Sequence, residues 1–479
     1  MTRSDPPARA WEMEFELRQS AQPPALTETS KEETDANWRE QLNVFFDQRA
    51  ALKMIWFTRV PGSLAPDRMI VGAVQSLWNR GYDVSEAERL LPAGFAALER
   101  EDFMDLQAIT AQIYEALRRA PRIPGHPYWR YERPATWEQI KRSCAAYAVA
   151  PASRPAGYDI YSNHFRDRVH AAWLGKIIGG SFGTALEGYS GDQLFKAYGD
   201  IRGYVRAPST VNDDITYELV FLDGVERYGR NLSSSDLARL WVRLVPFGWS
   251  AELVALDNLK HGIMPPESGA FNNPYSEWIG AQMRGEVMGL LAPGNPERAA
   301  ELAFSDGIIS HEANGVYGEM YNAAMVSLAF DEADPRQLVV KGLDYVPARS
   351  EFADVVRRTL GWCRSSKQWQ EAWKKAEHAL RFFHWIHTYP NVAAVVIALW
   401  FCEGDFDKAM NISAMCGMDV DCNAGEVGAI LGAARGTQGI PSRWSDPLND
   451  TLESYVVGYE RLKISDLSDW TVRLAREMA

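Results

Sequence analysis

The sequence predicts an all-α fold, and three observations support this prediction. Apolar residues recur at intervals of three and four along most of the chain, which is the spacing of one helix face. Strand-like alternation of apolar and polar residues is scarce, and segments rich in Gly and Asp separate the apolar stretches. With 479 residues, 46% hydrophobic and 24% charged, the chain has globular proportions and can bury a large core.

The N-terminal third contains two predicted helices and a connector. Residues 1–35 are polar and rich in Pro, Thr, Ser and Glu, so we expect an extended start. Ser85 is a candidate N-cap for the first helix. The second helix is predicted from an apolar stripe of Leu106, Ile109, Ile113 and Leu117. The Pro- and aromatic-rich stretch Pro121–Pro134 predicts an irregular connector, because Pro restricts itself and its predecessor.

Two prolines and a glycine predict a domain boundary near residues 150–160. We therefore predict a smaller helical N-terminal region over residues 1–155 and a compact helical catalytic domain over residues 156–479. In the second domain, the apolar run Val392–Cys402 predicts a buried helix.

The charge balance excludes some classes of function. Fifty basic and 63 acidic residues give a net charge of −13, and no run of Lys or Arg offers a nucleic-acid surface. The first residues lack an apolar signal core, and the longest apolar stretch is too short to span a bilayer. We therefore expect a cytoplasmic protein that binds neither nucleic acid nor membrane. Five cysteines, an odd number, argue against a disulfide framework.

The first segment whose residues are candidates for a functional role is Gly175–Glu187. Its glycines weaken a helix intrinsically, but they are useful where another helix or a ligand approaches closely. Glu187 ends the run among small and apolar neighbours. From this segment alone, helix packing with a surface glutamate is the simpler interpretation.

The second and third segments contain paired aspartates. Adjacent carboxylates such as Asp213 and Asp214 repel, so a buried pair needs a cation or protons. The alternative is an N-cap, since an apolar run follows this pair. Asp419 and Asp421 are two residues apart and would diverge on a helix, but in a loop before a helix they can converge on one ion. Oxygen ligands in such clusters suit Mg²⁺, Mn²⁺ or Ca²⁺.

Two further segments are weaker candidates. His311 follows Ser310 just before a predicted helix, where a neutral imidazole can contact a ligand, although a structural histidine is the alternative. Gly280–Gly285 predicts a small loop whose backbone N–H groups can meet a phosphate or a ribose.

In this order, the segments resemble the ADP-ribosylglycohydrolase family, which includes the dinitrogenase reductase-activating glycohydrolases. The family patterns are G-D-A-x-G-x-x-x-E, [TS]-D-D-T, N-G-x-x-M-R, [ST]-H and G-x-D-x-D-T. They correspond to Gly179–Glu187, Asn212–Ile215, Ile279–Arg284, Ser310–His311 and Gly417–Cys422. The resemblance covers residues 163–445.

The resemblance implies a compact helical domain with a centre of two Mg²⁺ or Mn²⁺ ions. The implied metal ligands are Asn212, Asp213, Asp214, Asp419, Asp421 and Cys422. Glu187 is implied to transfer protons, while Asp213 or Asp421 guides the attacking water. The implied substrate-binding residues are Gly280, Gln282, Met283, Arg284 and His311.

Departures from the family patterns bear on the ions and on the substrate. Asn212, Ile215 and Cys422 stand where the family has hydroxyl groups, and the softer Cys422 suits Mg²⁺ poorly. Gly180 and Ile279 replace an Asp and an Asn of the family. We predict a metal-dependent hydrolase of an N- or O-glycosidic bond to ribose, acting on a small ribosyl, nucleoside-like or ADP-ribosyl compound. The alternative is a catalytically silent relative that binds a ligand or serves structurally.

Overall fold

A computed structural model of the chain describes residues 48–147 and 158–479. One compact unit runs from Ile55 to Ala479, and all the features below lie in it. The predicted extended start and the predicted boundary between residues 155 and 156 lie outside the described residues. The division of the chain at that boundary stays a prediction.

The described part before residue 148 consists of a small hairpin and helices. Its elements are β1 (Thr58–Arg59), β2 (Pro66–Asp67), α1 (Met69–Asn79), α2 (Ser85–Glu99), α3 (Phe103–Arg119) and α4 (Trp137–Ser143). The two predicted helices are confirmed as α2 and α3, although Ser85 is the first residue of α2 and Val84 is its N-cap. The predicted connector contains a short 3₁₀ turn at Pro127–Arg130.

From residue 158 on, the chain is a helical array with two more strand pairs. The strands β3 (Tyr189–Ser190) and β4 (Gly417–Met418) pair antiparallel, as do β5 (Thr451–Glu453) and β6 (Arg461–Lys463). The helices are α5 (Asn163–Gly183), α6 (Gly191–Tyr198), α7 (Asp214–Tyr228), α8 (Ser234–Leu244), α9 (Ser250–Lys260), α10 (Glu267–Ala270), α11 (Glu286–Leu291), α12 (Pro296–Gly307), α13 (Asn314–Ala329), α14 (Pro335–Lys341), α15 (Glu351–Ser365), α16 (Trp369–Leu380), α17 (Thr388–Phe401), α18 (Phe406–Cys416), α19 (Val420–Arg435), α20 (Ser442–Ser445) and α21 (Ile464–Met478). The predicted all-α class is confirmed.

The hydrophobic core contains several helices that are buried on nearly all sides. Helix α17 is one of them, which confirms the buried helix predicted at Val392–Cys402. Within the described ranges, no helix combines the length and the apolar character that crossing a membrane requires. All five cysteines are free and buried, as their odd number predicted.

Helices α5 and α19 touch backbone to backbone. The residues of α5 at this contact are Gly175, Gly179 and Gly183. A Cβ atom at Gly179 would lie 2.2 Å from the carbonyl oxygen of Ala424, and one at Gly183 would lie 2.2 Å from the Cα atom of Asp421. The glycines therefore fix the distance between the helices, as the packing interpretation of this segment predicted, but the surface position that it gave Glu187 is wrong, because this side chain is buried.

Because the two backbones touch, a methyl group added at a glycine of this contact should clearly destabilise the protein. Gly179→Ala is expected to lower the free energy of unfolding by about 1–3 kcal/mol, because the helices must separate to admit it. Gly361→Ala is the matched control, since Gly361 lies in α15 and a Cβ atom added there would project into open space. The control should be about 0.5–1 kcal/mol more stable than the wild type. Urea unfolding measures both values, and a Gly179→Ala protein of wild-type stability would contradict the contact.

Candidate active site

A cavity of about 220 Å³ lies where the N-termini of α7 and α19 approach the end of α5. Its floor is acidic, with Glu187, Asp213, Asp419 and Asp421 together with Cys422. Its rim is aromatic and is formed by Phe247, Trp249, Trp385 and Tyr455. The structure thus brings the predicted catalytic residues together in one place.

The aspartates do not act as helix caps. Asp213 and Asp419 occupy the N-cap positions of α7 and α19, but neither side chain accepts a capping hydrogen bond from the backbone of its helix. Asp214 and Asp421 follow in the first turns and are buried. The positive ends of two helix dipoles therefore face a group of carboxylates that local structure leaves available.

The carboxylates and one thiol form two groups suited to a cation. Asp213, Asp214 and Asp421 form one group, and Asp419, Asp421 and Cys422 form the other. Within each group the potential ligand atoms lie within 4.8 Å of one another, and Asp421 belongs to both. The Oδ1 atom of Asp421 is buried without a hydrogen-bond partner. Because such an orphaned oxygen is costly, the residues fit a cation at this point.

Without a cation, the site favours protonated acids. Burial raises the pKa of Glu187, Asp213 and Asp421 well above the usual range, and neighbouring carboxylates add to the effect. Burial also raises the pKa of Asp419 to about 7. Bound cations would reverse the shifts of Asp213, Asp419 and Asp421, which belong to the cation groups, because they stabilise the ionised form.

Asn212 holds the acids in place with both ends of its amide. Its Oδ1 atom accepts a hydrogen bond from the backbone N–H of Asp214 at 2.7 Å. Its amino group donates to Thr184 Oγ1 and to Asp421 Oδ2, each at 3.1 Å. The predicted ligand role of Asn212 stays a prediction, and the observed contacts are those of a positioning residue.

A buried lysine lies behind the aspartates. The Nζ atom of Lys176 on α5 is 3.4 Å from Asp214 Oδ2 and 3.0 Å from Glu286 Oε1. Burial opposes its charge, but these carboxylates hold the pKa of Lys176 well above its usual range. Sequence reasoning missed this fixed positive charge, since a lone lysine inside a helical stripe carries no signal.

The five residues predicted to bind substrate divide into two sets. Gly280 and Met283 line the cavity. Gln282, Arg284 and His311 are buried behind its wall. Gln282 donates to Glu426 at 2.9 Å, and Nδ1 of His311 lies 2.7 Å from Ser310 Oγ.

Arg284 organises the wall from behind. Its guanidinium contacts Asp306 Oδ2 at 2.5 Å and Glu252 Oε1 at 3.2 Å, and it donates to the Gly280 carbonyl at 3.2 Å. It also lies 4.9 and 4.8 Å from the ring centroids of Tyr217 and Trp241. A charge held on all sides in this way positions the loop at Gly280.

Sequence reasoning also missed Glu252, a buried cavity residue on α9. A Cβ atom at Gly280 would lie 1.9 Å from Glu252 Oε1, so any larger residue at position 280 would require this carboxylate to move. Burial raises the pKa of Glu252 to about 7, although Arg284 opposes the shift. A glutamate within a helical pattern gave no signal of this position.

The hairpin near the start of the described chain forms another part of the cavity wall. The residues of this wall are Thr58, Val60, Pro61, Asp67 and Met69. Asp67 Oδ1 accepts a hydrogen bond from the indole of Trp385 at 3.3 Å and lies 3.3 Å from His384 Nε2. This contact ties the hairpin to the aromatic rim.

Fold and site together define an all-helical protein with an acidic candidate metal centre on a cavity floor. A sequence profile described as ADP-ribosylglycohydrolase matches residues 161–478. This match covers well over half of the chain, and the protein belongs to the ADP-ribosylglycohydrolase family. The resemblance seen in the motifs is thereby confirmed, and family membership supports a glycohydrolase function.

Two individual proteins illustrate the similarity. An uncharacterized protein of Archaeoglobus fulgidus is 22% identical over 298 residues, which cover 58% of this chain and 90% of the relative. A solved structure described as an ADP-ribosylglycohydrolase-related protein complex aligns with a TM-score of 0.47 at 20% identity. That alignment covers 66% of this chain and 100% of the solved chain.

The position of Glu252 predicts a pH-dependent stability. Between its ordinary pKa of 4.5 and about 7, the folded protein binds more protons here than the unfolded chain, so stability falls as pH rises. Glu252→Gln cannot ionise, so its stability relative to the wild type should rise by about 2 kcal/mol between about pH 5.5 and about pH 7.5. Urea unfolding with a chelator present measures this difference.

The control for that measurement is Glu115→Gln, which changes a mostly exposed glutamate on α3. Its stability relative to the wild type should stay constant over the same pH range. A constant difference for Glu252→Gln as well would contradict the proposed proton uptake at Glu252.

Proposed function

We propose that this protein is a metal-dependent hydrolase that cleaves an N- or O-glycosidic bond to ribose. The observation that carries the proposal is the convergence of Glu187 with Asp213, Asp419 and Asp421 on one cavity floor. Neither pair of aspartates is used in helix capping, and the groups that they form suit cations. Family membership agrees with this class of reaction.

The cofactors in this proposal are two Mg²⁺ or Mn²⁺ ions. The residues that would hold them are Asp213 and Asp214 on one side and Asp419 and Cys422 on the other, with Asp421 shared. When bound, such ions supply Lewis acidity, which lowers the pKa of a water molecule and orients a sugar diol. Lys176 keeps part of the negative charge of Asp214 balanced.

The chain's own carboxyl groups perform the proton transfers in this proposal. Asp213 or Asp421, once ionised, accepts a hydrogen bond from the attacking water and directs it toward the anomeric carbon. Glu187 retains a proton because of its burial, and so it can donate one to the leaving group. The positive charge that develops on the sugar is stabilised by the ionised carboxylates of the floor.

The cavity favours a small substrate. Its volume of about 220 Å³ lies below the range of about 300–1,000 Å³ that is usual for drug-sized ligands. The stacked rings of Phe247 and Tyr455, with centroids 4.5 Å apart, offer a face for a sugar or a base. We therefore propose a ribosyl or nucleoside-like compound rather than an ADP-ribosylated protein.

The central test is Asp421→Ala. This variant loses the carboxylate shared by both cation groups, so metal-dependent turnover should fall by at least about a hundredfold. The assay measures release of ribose or ADP-ribose from a panel of ribosyl and ADP-ribosyl compounds with Mg²⁺ or Mn²⁺. Asp257→Ala, on the exposed face of α9, should keep full activity. Full activity of Asp421→Ala would refute the metal mechanism. Metal binding by the wild type without turnover of any compound would indicate a silent family member.

A second test concerns the hairpin wall. Asp67→Ala frees the Trp385 indole, so KM for the best compound of the panel should rise about tenfold, the effect of one lost charge-assisted hydrogen bond. The affinity for Mn²⁺ should not change, because Asp67 belongs to neither cation group. Asp105→Ala, an exposed change on α3, is the control for the N-terminal helices. An unchanged KM in Asp67→Ala would exclude the hairpin from substrate binding.

A further inference from the structure

The two candidate cation groups differ in the atoms that they offer. The group of Asp213, Asp214 and Asp421, called the oxygen position below, has carboxylates alone. The group of Asp419, Asp421 and Cys422, called the sulfur position below, adds a cysteine Sγ atom. Asp421 is common to both, so the two positions are adjacent.

The Cys422 thiol points into the site rather than into the apolar core. Its Sγ atom lies 3.2 Å from Asp214 Oδ1 and 3.7 Å from Met283 Sδ. Cys422 and Met283 both line the cavity. A second sulfur atom therefore adjoins the thiol on the cavity side, and the surroundings combine soft donors with carboxylates.

A separate observation points to a ligand at this place. The Oδ1 atom of Asp421, in a side chain that is 4% exposed, has no hydrogen-bond partner. Asp419 is the N-cap of α19 and yet accepts no capping hydrogen bond. The sulfur position thus holds one unpartnered buried oxygen, Oδ1 of Asp421, and one carboxylate, that of Asp419, which does not cap the backbone of its helix.

The other cysteines provide a comparison. Across the described ranges, Cys422 is the one cysteine that belongs to a group able to hold a metal. Cys416 lies six residues earlier at the end of α18 and is fully buried among apolar residues. Cys416 therefore has the burial of Cys422, but it belongs to neither candidate cation group.

Donor softness decides which ion each position prefers. Thiolate ligands select Zn²⁺, Co²⁺ and similar borderline ions over Mg²⁺, whereas carboxylate oxygens suit Mg²⁺ and Mn²⁺. Binding at the sulfur position requires the thiolate, so the proton of Cys422 passes to solvent when the ion binds. Asp421 is common to the ligands of both positions.

We propose that the centre is mixed, with a thiophilic divalent ion of the Zn²⁺ class at the sulfur position and Mg²⁺ or Mn²⁺ at the oxygen position. Cys422 is the residue that determines this difference. The proposal rests on the two-cation centre of the proposed function and replaces one of its two Mg²⁺ or Mn²⁺ ions, but it does not depend on which bond is cleaved.

The experiment uses the full chain after removal of metals with a chelator. Titration with Co²⁺ should produce a near-ultraviolet thiolate-to-cobalt charge-transfer band in the wild type and in the control Cys416→Ser. The band should be absent in Cys422→Ser, and Co²⁺ affinity should fall at least about tenfold. Cys422→Thr, which restores the family hydroxyl, serves as a second variant, and circular dichroism checks that both variants fold.

A competition on the wild type tests the same point without any variant. Zn²⁺ should displace Co²⁺ and abolish the band, whereas a large excess of Mg²⁺ should leave it unchanged. The proposal is overturned if Co²⁺ binds without the band, if Mg²⁺ displaces it, or if Co²⁺ does not bind. A Cys422-dependent band in a protein that hydrolyses no compound of the panel would uphold the mixed centre and refute the proposed function.

Discussion

The contact between helices α5 and α19 is the constraint on which the site depends. Its glycines let the two backbones touch, and one of them, Gly183, lies against the Cα atom of Asp421. Four residues later the chain reaches Glu187, and the pairing of β3 with β4 joins the segments that follow α5 and precede α19. The Gly188 N–H donates to the Met418 carbonyl at 2.9 Å. A change in helix separation would therefore move Glu187 relative to Asp421. The glycines that pack the two helices thus also determine the geometry of the candidate site.

The second constraint is the concentration of negative charge in a dry interior. Carboxylates at the floor repel one another, and burial adds a desolvation cost that protons or cations must offset. The chain supplies two cations of its own, Lys176 behind Asp214 and Arg284 behind Glu252. Neither contacts Asp421, whose Oδ1 atom stays without a partner. The charges of the protein are thus balanced at the back of the site and left unbalanced at its centre, which is the distribution expected of a cation site.

The sequence predicted the helical class, the helices around Ser85, Leu106 and Val392, and the acids of the floor, because periodicity and ordered motifs are local signals. It did not predict Glu252 or Lys176, since each is one polar residue in an ordinary helical pattern, and its role arises only from packing across the fold. Motif order also grouped Arg284 and His311 with the ligand-binding residues, whereas the structure places both behind the wall. A motif identifies a segment but not the direction in which its side chains point, and Gly280 and Met283 happen to face the cavity.

The hairpin wall extends the cavity beyond the part of the chain that the family profile matches. The family profile begins at residue 161, yet part of the cavity is built by residues 58–69. Gly62 of this hairpin lies so close to Thr184 that a Cβ atom would come within 2.4 Å of it, and Tyr189 donates to the Ser63 carbonyl. Thr184 and Tyr189 flank Glu187 in sequence. The hairpin therefore rests on the segment that carries the candidate acid Glu187, and the hairpin and Glu187 line the same cavity. The cavity is therefore built both by residues that the family profile matches and by a segment that precedes them in the chain.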